Sequence, residues 1–270
     1  MRFFFYSNIN ITRKELSHER NNYRKEKYNF DKCLYVTGLE QSLHFKQVFK
    51  AIELMGLDYY KNLVHVPYGL VSLDGEKLST RTGNIIYAED ILKEAVKRAL
   101  ELIEEKNPSL ENKEEVAKQV GIGAVIFHDL FNQRIKNINF SWKEVLSFEG
   151  TTGPYVQYTY ARAGSILRKY EKESATSSET LFAADTLFTN TDINYQAFTE
   201  DSSFALIKTI GGYEKAMTTA AESYEPSVVA RLLISLCTDF NKFYKECPIL
   251  KEENESIKMQ LTLPKLQLIS

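Results

Sequence analysis

The sequence predicts an α/β segment built on a partial parallel sheet, followed by an all-α remainder. Two patterns lead there. Between Cys33 and Leu73 a short apolar strand, an amphipathic helix and a second apolar stretch follow one another, the strand–helix–strand unit of a parallel sheet. From Ala88 onward the apolar residues recur at helical spacing. A chain of 270 residues with 43% hydrophobic and 26% charged side chains is long enough to bury a real core. Its formal charge of −2 gives no global nucleic-acid signal, so any RNA contact must use local patches.

Taken in order, Phe3 to Tyr6 is too short for a signal-peptide core, and no apolar run is long enough to cross a bilayer. Residues 1–30 carry seven Lys or Arg against three Glu, a bias that fits a basic arm or, more commonly, a solvated helix face. Cys33 to Val36 reads as a strand, and Thr37 to Gln41 as the loop at its end. Phe45, Val48, Phe49, Ile52 and Met55 then mark a helix closed by Gly56. Val64 to Leu73 reads as a strand or hairpin arm before a turn at Asp74-Gly75. About two parallel strands are expected within 1–87, with ligands at their carboxyl ends, where Gln41 and His44 fall. Cys33, Cys237 and Cys247 lack metal-type pairing and read as reduced core thiols in a cytoplasmic setting.

Helices are predicted over Ala88–Lys106 and Lys113–Phe131, the second with Val116, Val120, Ala124, Phe127 and Phe131 on its stripe and His128 as a structural residue. Asn139 to Trp142 reads as a turn. A further helix is expected from Pro154 to about Glu173, with Tyr155, Tyr158, Arg162, Ser165 and Lys169 along one side. Aromatics interleaved with cations can stack on bases and pair with phosphates, although a tyrosine stripe is more often core. Residues 174–202 read as a polar linker, open to proteolysis. Ser203 to Ser223 follows as a helix, with Gly211-Gly212 as the place for a kink or division. The last helix starts at Glu225-Pro226 and buries Val229, Leu232, Leu233, Leu236, Phe240 and Phe243.

One loop changes what these elements mean. Lys77-Leu78-Ser79-Thr80-Arg81-Thr82-Gly83-Asn84 packs cations, hydroxyls and a glycine into eight residues, a set that can donate to a polyphosphate. By composition it is also an ordinary hairpin tip. Its order, however, resembles the second signature loop of class I aminoacyl-tRNA synthetases in the form carried by the arginine enzymes. His44-Phe45-Lys46-Gln47 upstream and Phe148 to Tyr158 downstream resemble arginyl-tRNA synthetase segments in the same order, and three ordered motifs are far more specific than one. The likeness runs from about Tyr23 to Leu250.

The resemblance implies the carboxyl-terminal part of a Rossmann-type catalytic domain over 1–87, connecting helices over 88–147, and a helical anticodon-binding domain over 148–270. It implies ATP as a substrate, with magnesium but no dedicated protein metal site, and arginine and its tRNA as partners. Lys77, Ser79 and Arg81 take phosphate and loop roles by this resemblance, and Leu78, Thr80, Gly83 and His44 line the nucleotide. Gln41 contacts arginine. Tyr155, Gln157, Tyr158, Arg162 and Lys169, with Asn241 and Tyr244 of Phe240-Asn241-Lys242-Phe243-Tyr244, face the tRNA.

Three departures stand against the family pattern. The first nucleotide signature, His-x-Gly-His, is not formed by His18, His44, His65 or His128. Ile11-Thr12-Arg13 resembles part of the Tyr-x-Thr-Arg-Asp segment, but Lys14 follows, and an ungapped count from Asp31 puts Ser17 where the substrate-gripping acid belongs. Beyond Leu250 no packing-helix pattern continues, and Pro264 interrupts the tail. The expectation is therefore a carboxyl-terminal half of an arginine enzyme whose other half supplies the remaining chemistry. A non-catalytic tRNA-binding protein and a degenerate product stay open beside it.

Overall fold

The computed structural model describes residues 3–7, 18–73, 76–77, 87–174 and 200–247. Leu78, Ser79, Thr80, Arg81 and Gly83 of the loop lie outside the described residues, as do Thr12 to Ser17, positions 175–199 of the expected linker and the tail from 248. The chain packs as two units, Met1–Ile85 with Asn132–Phe140, and Ile86–Phe131 with Ser141–Ser270.

In the first unit three strands lie parallel in the order β1 (Phe3–Ser7), β2 (Lys32–Gly38), β3 (Leu63–Tyr68). The apolar opening Phe3–Ser7 thus adds an edge strand to the two that were expected. Strand β2 is central, and Cys33, Leu34 and Tyr35 are buried in succession, the continuous apolar run of a strand covered on both faces. Helix α1 (His18–Tyr28) precedes β2, and α2 (Ser42–Leu54) links it to β3 through Gly56, whose φ of 73° ends the helix in a left-handed conformation. Phe30, Cys33, Tyr35, Phe45, Ile52 and Leu63 form the core. Within the basic amino-terminal stretch, the described helix α1 is not wholly a solvated face. In α1, Asn21 and Arg24 are buried, the Tyr35 hydroxyl donates to Asn21, and the Arg24 guanidinium lies 5.9 Å from the Tyr35 ring centre.

The stretch expected to be one strand from Val64 to Leu73 breaks at Gly69. Past the break, β4 (Val71–Leu73) enters a second sheet, antiparallel to β5 (Glu76–Lys77) and parallel to β6 (Ile138–Phe140). The turn expected at Asn139 to Trp142 is therefore corrected: Ile138–Phe140 is a strand, and Trp142 opens the short helix α5 (Trp142–Val145). Its partner strand is distant in sequence, so local turn residues gave no hint of the pairing.

Among the described residues the second unit is helical. Helices α3 (Ala88–Lys106) and α4 (Lys113–Phe131) have the predicted bounds, but their buried positions are Ala95, Ala99, Ala117, Gly121 and Ala124. Of the expected α4 stripe Ala124 is buried, while Val116, Val120, Phe127 and Phe131 are half-buried. Small residues let the two backbones meet: a Cβ at Gly121 would lie 2.7 Å from the Ala95 carbonyl. Helix α6 (Gly153–Ser174) follows, then α7 (Asp201–Gly211) and α8 (Tyr213–Ser223), divided at the glycine pair, and α9 (Ser227–Glu246). Helix α7 begins inside the expected linker, and its Ser202 and Ser203 are buried. Ala163, Ile166, Leu206, Leu236, Phe240 and Phe243 form the core here. Val229, Leu232 and Leu233 of the expected α9 stripe are half-buried, while Ala230 and Cys237 are fully so.

Candidate functional site

Helices α6 and α9 bring a polar, aromatic cluster together. Asn241 on α9 donates through Nδ2 to Thr159 Oγ1 at 2.9 Å and to the Tyr155 hydroxyl at 3.1 Å. Its Oδ1 accepts from Arg162 Nη1. Arg162 Nη2 donates to the Tyr158 hydroxyl at 2.6 Å, and the guanidinium carbon lies 4.7 Å from the Tyr158 ring centre and 5.1 Å from that of Tyr244. Tyr244 is stacked on Phe240 at 6.4 Å. The inner edge is dry. Thr159 is fully buried and bonds the Tyr155 carbonyl at 3.0 Å, and burial pushes the neighbouring Cys237 thiol up to about 11. The outer edge is open, with Tyr158 50% and Tyr244 40% exposed. One asparagine thus fixes an arginine whose faces meet two tyrosines, leaving rings and cation displayed to solvent.

In the first unit, the carboxyl ends of β2 and β3 carry a second constellation. Gln41 ends the 3-10 turn Leu39–Gln41 that follows β2, and is exposed. His44, on the first turn of α2, is half-buried, and its Nε2 is buried without a hydrogen-bond partner. Phe45 beside it stacks on His65 at 4.4 Å, and His65 Nε2 bonds Thr37 Oγ1 at 2.9 Å. Burial holds the His65 pKa below its usual value, assisted by the Arg134 charge and opposed by Thr37. Lys77 is described by its backbone, in register with Ser72 of β4. Among the described residues no group of three His, Cys, Asp or Glu side chains could hold a metal ion, and no helix is long and apolar enough to cross a membrane.

Residues 17–142 match the model for the catalytic domain of class I tRNA synthetases (R), and residues 156–269 match the DALR anticodon binding domain. An arginine–tRNA ligase of Clostridium perfringens is 50% identical over 236 residues, 87% of this chain and 39% of that protein. The chain belongs to the arginyl-tRNA synthetase family. An arginine–tRNA ligase of Clostridium beijerinckii is 46% identical over 250 residues, 92% of this chain and 42% of that protein. The solved arginyl-tRNA synthetase of Thermus thermophilus superposes with a TM-score of 0.72 at 31% identity, over 89% of this chain and 39% of that one. The chain thus spans about two fifths of the length of the curated relatives it matches.

Within the arginyl-tRNA synthetase frame, the described residues hold a class I catalytic segment with its parallel sheet, followed by a helical DALR domain. Of the tRNA-facing residues expected from the sequence, Tyr155, Tyr158, Arg162, Asn241 and Tyr244 converge in one cluster. Lys169 is exposed farther along α6. Gln157 points elsewhere: its Nε2 donates to the Gln119 carbonyl of α4 at 3.0 Å, beside Gly123, so it joins two helices. Thr159 escaped the sequence reading. Its position four residues after Tyr155, on the same helix face one turn on, was the available signal.

Proposed function

We propose that this chain is the carboxyl-terminal part of an arginine–tRNA ligase, an enzyme that activates arginine with ATP and passes it to the tRNA terminal ribose. The domain division is 1–87 for the catalytic part, 88–147 for connecting helices and 148–270 for anticodon binding. The observation that carries the reading is the Asn241–Arg162 cluster between α6 and α9, which presents two half-open tyrosine rings around a fixed cation. Such a surface stacks on unpaired bases. Arg162, tied by Asn241 and Tyr158, orients the rings, while the exposed Lys169, Lys242 and Lys245 meet phosphates.

On the catalytic side Lys77, Ser79 and Arg81 serve the phosphates of ATP, with Leu78, Thr80, Gly83 and His44 around the nucleotide and Gln41 on arginine. The unpartnered, buried His44 Nε2 fits a place where a ligand supplies the missing hydrogen bond. Magnesium would arrive on the ATP phosphates in this reading. Catalysis belongs to the cytoplasm in this reading.

A second reading is favoured by the lack of His-x-Gly-His in the sequence: the 270-residue polypeptide binds tRNA without charging it. Rate in such a site comes from donors held on both sides of the phosphates. Assaying the chain with arginine, ATP and tRNA tests this second reading. Arginyl-tRNA above a no-protein control would show a working site, and binding at low salt without product would support the second reading. Absence of binding would overturn the RNA surface itself.

A further inference from the structure

We propose that the strap Asn132–Phe140 is the positioning element for the strand pair β4–β5, and so for the backbone at Lys77. The inference rests on the reading of Lys77 as a phosphate-facing lysine. Strand β5 is two residues long and β4 three, and a pair that short does not hold itself in water.

The strap supplies what is missing, residue by residue. Gly69 N–H donates to the Arg134 carbonyl at 2.7 Å, and Arg134 Nη1 reaches back to the Pro67 carbonyl at 2.5 Å. Leu70 N–H donates to Asn137 Oδ1 at 2.9 Å, and Ile138 N–H to the Leu70 carbonyl at 2.9 Å. Ser72 Oγ meets the Ile138 carbonyl and Asn139 Oδ1, each at 3.2 Å. Ser72 is therefore the middle of a rung, paired with Asn139 on one side and Lys77 on the other. The approach is close by construction: a Cβ at Gly69 would lie 2.2 Å from the Lys136 carbonyl oxygen, with backbone as the obstacle. These bonds fall between Pro67 and Ser72, across the end of β3 and the start of β4.

Asn137 gives the cleanest test, because its side chain is exposed and replacing it leaves no buried cavity. Amide hydrogen exchange at Leu70–Leu73 would be followed in the whole chain for the parent, Asn137→Ala and Asn137→Asp. The Ala variant should exchange roughly two- to tenfold faster, the factor of one net hydrogen bond, and the Asp variant, which keeps the acceptor, should match the parent. ATP titration of the same proteins reads the link to Lys77. Asn137→Ala should weaken ATP binding by a similar factor in the parent and not at all in a Lys77→Ala background, because the two act as a unit. Unchanged exchange in Asn137→Ala overturns the strap. Faster exchange with unaltered ATP affinity, where Lys77→Ala does weaken it, overturns the link to Lys77. A parent that binds no ATP at millimolar nucleotide removes the nucleotide reading of Lys77 and the link with it, while exchange still decides whether the strap holds the strands.

Discussion

At the scale of single residues, Asn241 holds more than its size implies. It satisfies Thr159, Tyr155 and Arg162 at once, and Thr159 is out of water. Replacing it with Ala leaves those groups without their partner, at a cost of about 1–3 kcal/mol by urea denaturation. Weaker tRNA binding should accompany the loss, because Arg162 no longer fixes the rings. Gly121 makes a second case. Since an added methyl would meet the Ala95 backbone at 2.7 Å, Gly121→Ala should destabilise the chain by about 1–3 kcal/mol, despite the better helix propensity of alanine. The histidines set a pH dependence. Burial lowers the pKa of both His65 and His128 from 6.5, so the unfolded chain binds protons that the folded chain does not. Their contribution is fully present above pH 6.5 and is lost as pH falls toward the lowered values. Denaturation midpoints should drop on acidification from neutral pH, and less steeply in a His65→Gln variant.

Among the elements, α9 organises the helical unit. Its buried face carries Leu236, Phe240 and Phe243 against Ala163 and Ile166 of α6 and Leu206 of α7, while Asn241 and Tyr244, one residue round from that face, build the cluster. Core and candidate site therefore share one helix, and a loss in the core should reach the surface. Phe240→Ala removes a fully buried ring that also stacks on Tyr244, and should cost about 3–5 kcal/mol. Circular dichroism would show a lowered melting temperature, and tRNA affinity measured well below it should fall too. Retained affinity at full loss of stability would separate the cluster from its core. The strap makes the same point for the first unit, where the elements that hold β4 come from far along the chain.

For the molecule as a whole, a net charge of −2 means that attraction to RNA must be local. Three exposed lysines, Lys169, Lys242 and Lys245, stand on the helices that build the aromatic cluster. If these supply the phosphate contacts, the logarithm of tRNA affinity should fall with the logarithm of salt with a slope of roughly −2 to −3. Changing all three to Ala should flatten the slope, whereas Tyr158→Ala should lower affinity and leave it intact. A slope unchanged by the triple substitution would place the RNA on another face. In a complete enzyme, Lys77→Ala should slow adenylate formation by about 2.7–4 kcal/mol of barrier and spare tRNA binding, as pyrophosphate exchange would read.

Much of this was legible in the chain itself. Helices α3 and α4 could be bounded to the residue, and α6 and α9 nearly so, because helical periodicity and terminal residues are local signals. Motif order likewise disclosed the family, since the spacing of Lys77, His44 and Tyr155 survives without any fold. What local signals could not carry was decided by contact between distant segments. Strand β6 exists because Val71–Leu73 offers it an edge, and β1 because β2 does. Helices α3 and α4 bury alanines and a glycine in place of their larger apolar residues, because close backbone approach rewards small side chains over hydrophobic ones. The tyrosine stripe of α6 could have been core or surface. Only the arrival of Asn241 from α9 settled which rings turn outward, because a hydrogen bond across 82 positions of sequence leaves no trace in either segment alone.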